Sequence, residues 1–109
     1  MGKPVAGEIV VVPFPQTNLQ VGKRRPALVV AAISGNDFIL CQITSQARSD
    51  GYSIPLRKTD FDHGNLAMES FIRPNRLFTV EHSVILYSVG KLKLAKLQEV
   101  KAKIRRIFA

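Results

Sequence analysis

The sequence predicts a mainly β chain: a small β-barrel followed by one C-terminal α-helix. Two patterns and a length point there. Short β-branched and aromatic runs recur along most of the chain, each closed by proline, glycine or asparagine. From residue 92 onward the apolar period lengthens to three and four, the mark of one helix face. The 109 residues are enough for one domain with a real core, and no linker, repeat or low-complexity tract divides them, so 1–109 is read as a single domain.

Residues 8–14, Glu-Ile-Val-Val-Val-Pro-Phe, make the first strand, ended by Pro13 and Pro15. Polar, glycine-containing residues 16–24 are expected to form a long hairpin loop. Residues 27–33 are apolar on both faces and therefore belong in the middle of the sheet. Ser34-Gly35-Asn36 supplies a turn, and residues 38–43 return as the third strand. Residues 47–53 read as irregular, 53–56 as a short edge strand limited by Pro55, and 57–66 as a charged loop. Two strands are expected at 70–73 and 77–80, split by Pro74-Asn75-Arg76, and a further one at 83–88. In the tail, Leu94, Leu97, Val100, Ile104 and Ile107 form the apolar stripe, with Lys93, Lys96, Lys101, Lys103, Arg105 and Arg106 on other faces. Cations late in a helix also suit its macrodipole.

Sixteen Lys and Arg against eight Asp and Glu leave a formal charge of +8. Such an excess points to an anionic partner, nucleic acid first. One cysteine, Cys41, rules out an internal disulfide framework and fits a reducing compartment. It lies in an apolar run, which predicts a buried, inert thiol. No signal-peptide pattern opens the chain, and its longest apolar run is too short to span a bilayer, so the expectation is a soluble, cytoplasmic protein with no membrane partner. The two histidines are far apart with no cysteine pair, and no Gly-Lys-Ser/Thr phosphate loop or dinucleotide fingerprint appears. No metal and no cofactor are expected.

Chemistry gathers at strand ends. Gly22-Lys23-Arg24-Arg25-Pro26 carries three consecutive cations to the mouth of an apolar strand, and Pro26 biases Arg25 toward extended geometry. Thr44, with Ser45 beside it, and Arg73 stand at two other strand ends. Two arginines can grip a phosphodiester bidentately and stabilise charge as it develops, while a hydroxyl orients a phosphate oxygen. Read by themselves, these residues fit either phosphoryl transfer or simple nucleic-acid binding, and a solubilising charged hairpin accounts for the cations alone. His63 has the intrinsic pKa of a proton carrier, His82 ends a strand-like run, and each also fits an ordinary surface histidine. Glu8, at a strand start, suits a structural hydrogen bond.

In order along the chain, Gly7-Glu8-Ile9-Val10, Arg25-Pro26-Ala27-Leu28-Val29-Val30, Ile43-Thr44-Ser45, Ser70-Phe71-Ile72-Arg73 and Arg76-Leu77-Phe78-Thr79-Val80 resemble the MazF/PemK family. Val89-Gly90-Lys91-Leu92 looks like that family's opening of the last helix. The resemblance implies a homodimeric, SH3-like barrel of the CcdB/MazF type. It also implies a toxin that cleaves single-stranded RNA without metal and is neutralised by a cognate antitoxin with an acidic C-terminal segment. By the same resemblance Arg25, Thr44 and Arg73 are the catalytic residues; the neighbouring Lys23, Arg24, Ser45, Asn75 and Arg76 are expected to bind the RNA. One position departs from the family: Asn75 stands where several relatives carry an acid. An amide cannot take the proton of a 2′-hydroxyl as a carboxylate can. That leaves another base, a larger share for arginine electrostatics, weak activity, or a non-catalytic toxin that binds nucleic acid or, in the manner of the related CcdB toxins, a gyrase.

Overall fold

The computed structural model describes residues 2–14, 23–47 and 49–109. Among these residues seven strands form one antiparallel sheet: β1 (Glu8–Phe14), β2 (Lys23–Ala32), β3 (Asp37–Thr44), β4 (Ile54–Leu56), β5 (Phe61–Gly64), β6 (Ser70–Glu81) and β7 (Tyr87–Leu92). Their order across the sheet is β4-β6-β3-β2-β1-β7-β5. β4 and β5 are the two ends of that order, yet only residues 57–60 separate them in the chain. The sheet must therefore curl until its ends meet, which makes a half-barrel. α1 (Leu94–Ile107) closes the chain.

The central strands are buried on both faces, as their unbroken apolar runs require. Leu28 and Val30 of β2 join Ile9, Cys41, Ile43 and Ile72 in a first core, which Leu97 and Val100 of α1 complete. The alternate residues Ala27 and Val29 join Val10, Val12, Phe38 and Leu40 in a second core on the opposite face. Fully burying one such side chain contributes roughly 1.5–3 kcal/mol. Burial also pushes the Cys41 thiol up to about 12, so it is the inert thiol expected.

Several elements differ from their sequence expectations. Lys23 and Arg24 belong to β2 rather than to a hairpin loop, paired with Phe14 and Pro13; residues 16–22 of that loop lie outside the described residues. Residues 70–73 and 77–80 are one strand. The β3–β6 register jumps from Gln42↔Arg73 to Cys41↔Leu77, so Pro74, Asn75 and Arg76 form a bulge. A bulge is where a strand tolerates a proline and bends, and here Phe78 and Val80 swing onto the second core. The charged segment 57–66 holds a 3₁₀ turn (Lys58–Asp60) and then β5. β5 exists because Gly64 and Gly90 let two backbones touch: a Cβ on Gly64 would strike the Val89 carbonyl, and Gly64 has φ +82°. The strand expected at 83–88 lies later, at β7, because Val84 and Ile85 pack on the second core instead of pairing. Accordingly Val89-Gly90-Lys91-Leu92 ends β7 and does not open the helix.

On α1, Leu97 and Val100 face the core and Ile104 packs against it, but Leu94 is 68% exposed. Lys96 is buried in its stead. Its ammonium lies 3.5 Å from Asp60 and 3.2 Å from Glu99, which supply the counter-charge that a buried lysine needs. The Lys93 amide donates to the Asp60 carbonyl at 2.8 Å, pinning the helix start to the 3₁₀ turn. Among the described residues no helix is long and apolar enough to cross a membrane.

Candidate phosphodiester-binding site

β2 begins, β3 ends and β6 begins at the same end of the half-barrel. Ala27 pairs with Gln42, and Gln42 with Arg73. Extending the β2–β3 register by two residues brings Arg25 level with Thr44. Paired residues share a face, as do residues two apart, so Arg25, Thr44 and Arg73 all project to one side. Directly opposed Cβ atoms on neighbouring strands stand about 5 Å apart and diagonal ones about 7–8 Å, which puts Thr44 beside each arginine. Arg25 and Arg73 flank β3, two strand spacings or about 10 Å apart across the sheet, a gap that two side chains as long as arginine can close on a ligand between them.

A cavity of about 330 Å³ opens there, lined by Lys23, Arg24, Arg25, Thr44, Ser45 and, across from them, the loop residues 66–68. That loop also walls a neighbouring cavity of about 310 Å³ with Arg57 and Lys58 on its rim. Arg25 is half-buried, while Lys23, Arg24 and Ser45 are exposed. Thr44, at 9% exposure, accepts the Gln46 amide on Oγ1 at 3.1 Å. One bond received this way fixes the rotamer and leaves the hydroxyl proton to donate.

Arg73 does not line this cavity. It is buried one step along the same face, and its Nη2 donates to Oδ2 of Asp50 at 3.0 Å. The amides of Tyr52 and Ser53 donate to the other Asp50 oxygen at 3.0 and 3.2 Å. The Tyr52 amide first, then Arg73 and the Ser53 amide, lower the Asp50 pKa to about 2 against a desolvation that opposes them. Sequence reasoning passed over Asp50, which sits in a segment read only as irregular. Its signal was the Asp50-Gly51 pair, turn chemistry in a chain poor in acids.

Asn75 and Arg76 are exposed on the β6 bulge. His82 meets Phe38 at the opposite end of β3, with ring centroids 5.8 Å apart and the rings tilted by 56°. Six residue steps along the strand separate Phe38 from Thr44, roughly 20 Å, which removes His82 from the site. His63 is exposed on β5, opposite Lys91. The Glu8 carboxylate accepts the Val5 amide at 2.7 Å, the structural bond expected of it.

The sequence pattern of the family described as PemK-like, MazF-like toxin of type II toxin–antitoxin system matches residues 6–108. Among solved structures, the fold is similar to that of a MazE–MazF complex from Deinococcus radiodurans (TM-score 0.78, 20% identity, 98% of this chain and 97% of that one). MazF alone from the same organism is similar at TM-score 0.77 and 22% identity, covering 99% and 98% of the two chains. A mycobacterial endoribonuclease in complex with its cognate antitoxin is similar at TM-score 0.74 and 11% identity, covering 96% and 94%. No protein of curated function matches the chain.

Proposed function

Since the chain belongs to the PemK-like, MazF-like toxin family of type II toxin–antitoxin systems, we propose that it is an endoribonuclease toxin that cleaves single-stranded RNA. The observation that carries this reading is the meeting of Arg25 and Thr44 in one cationic cavity, on the face that also bears Arg73. In the reaction the ribose 2′-oxygen bonds to phosphorus and gives up its proton. The P–O5′ bond breaks, and the leaving oxygen takes a proton. The products are a 2′,3′-cyclic phosphate and a 5′-hydroxyl, and DNA is left uncut for want of the attacking group. Arg25 and Arg73 stabilise the charge that develops on the phosphoryl oxygens, and the Thr44 hydroxyl holds one of them. Lys23, Arg24, Ser45 and Arg76 line the approach of the strand, with the Asn75 amide beside them. Exposed Asn75 offers no carboxylate, so arginine electrostatics carry a large share of the rate.

The protein acts as a homodimer, and an antitoxin with an acidic C-terminal segment competes with RNA for the same cations. Binding of such a segment weakens with salt. A stable ternary complex of toxin, antitoxin and non-cleavable RNA would contradict the shared site. The activity itself is tested by incubating single-stranded RNA with the protein in excess EDTA. Discrete fragments with 5′-hydroxyl ends support the ribonuclease, whereas intact RNA in a retarded band supports a non-catalytic binder.

A further inference from the structure

Arg73 is an expensive residue to bury. Its side chain is only 11% exposed, and its buried Nε has no hydrogen-bond partner among the described residues. A guanidinium taken this far from water needs a counter-charge, and among the described residues it meets Asp50, through a single arm of its fork. Asp50 is not free to wander. Its second oxygen is held by the Tyr52 and Ser53 amides, and Lys103 of α1 donates to the Gly51 carbonyl at 3.2 Å, tying the loop to the helix. The carboxylate is thus fixed from two sides before any ligand arrives.

We propose that Asp50 is a positioning residue: it holds the Arg73 guanidinium in the orientation from which Arg73 meets the scissile phosphate. This rests on the ribonuclease reading above. A preset arginine need not be ordered by the substrate, and that ordering would otherwise raise the barrier. Asp50 does not stand in for the acid missing at Asn75. Its hydrogen bonds make it a weak base at neutral pH, and its Arg73-facing oxygen is already engaged.

The test is a double-mutant cycle with a second readout that needs no catalysis. Single-turnover cleavage is measured for Arg73→Ala, Asp50→Ala, Asp50→Asn and Asp50→Glu, and for the pair Asp50→Ala/Arg73→Ala. If Asp50 acts through Arg73, Asp50→Ala lowers the cleavage step at least tenfold at saturating RNA. The pair is then no slower than Arg73→Ala alone, and Asp50→Glu recovers part of the rate. In protein labelled with ¹⁵N-arginine, the Arg73 Nε–H signal, assigned by its loss in Arg73→Lys, shifts and exchanges faster in Asp50→Asn. Multiplying losses in the pair, an unmoved Arg73 signal, or faster cleavage by Asp50→Asn would overturn the proposal. The last result would make Asp50 a competitor of phosphate. If Asp50→Ala fails to fold, Asp50→Asn carries both readouts. A wild-type chain that leaves RNA intact refutes the ribonuclease reading, while the Arg73 signal still reports whether Asp50 holds the guanidinium.

Discussion

Replacing Arg25 by alanine separates chemistry from folding. Arg25 lies in β2 opposite Val12 and belongs to neither core cluster, so its removal opens no cavity in the packed interior. It also relieves repulsion with Lys23 and Arg24. Stability should change by no more than about 0.5 kcal/mol, the usual range for a substitution that leaves the core intact. The catalytic loss is far larger. Deleting one preorganised donor to a developing anion typically lowers the rate by about 10²–10³, or roughly 2.7–4 kcal/mol. Arg25→Lys keeps the charge but loses the planar fork, and should fall between the two. Affinity for an RNA lacking the scissile 2′-hydroxyl separates binding from catalysis. Losing one phosphate contact to a single strand reduces the slope of log K against log salt by about 0.7. The assay pairs single-turnover cleavage in EDTA with thermal melting. A folded Arg25→Ala that cleaves at nearly the wild-type rate refutes the placement of Arg25 in the site. A loss confined to KM makes it a binding group only.

The Asp50 pKa falls from 3.8 to about 2 on folding, so the unfolded chain takes up the proton first as pH drops. Its stabilising contribution is complete above about pH 4 and is lost as pH falls to about 2. The gap in melting temperature between wild type and Asp50→Asn should close across that window; a gap constant with pH would contradict the linkage. Gly64→Ala forces φ +82° on an alanine and drives its Cβ into the Val89 carbonyl. It should cost at least about 2 kcal/mol in urea unfolding, and a neutral result would mean that β5 can leave β7 freely. Cys41 is fully buried with its thiol pushed up to about 12, so an aromatic disulfide reagent at pH 8 should label it only as fast as the protein opens. Light scattering at micromolar concentration should give twice the 12.1 kDa chain mass; the single mass would contradict the dimer.

β1, β2 and β3 were legible because a β-branched run buried on both faces states its own environment, and the bounds of β1 coincide with the run 8–14. The helix was legible in the same way, since Leu97 and Val100 repeat at the spacing of a helix face. Arg25, Thr44 and Arg73 could be nominated from chemistry at strand ends, without knowing that they share a face. Their placement on one face depends on two registers, β2 on β3 and β3 on β6, which join residues remote in sequence. β5 carries no strand signal in Phe-Asp-His-Gly and exists because Gly90 lies opposite Gly64. The burial of Lys96 rather than Leu94 follows from Asp60, which the curl of the sheet brings to the helix start. The union of Asp50 with Arg73 joins a loop to a strand across 23 residues. Periodicity and propensity report what a residue's near neighbours in the chain require, and they determined the central strands and the helix. Edge pairing, the β6 bulge and the Asp50–Arg73 and Asp60–Lys96 ion pairs depend on groups that meet only after the sheet has curled, and those the tertiary structure alone decided.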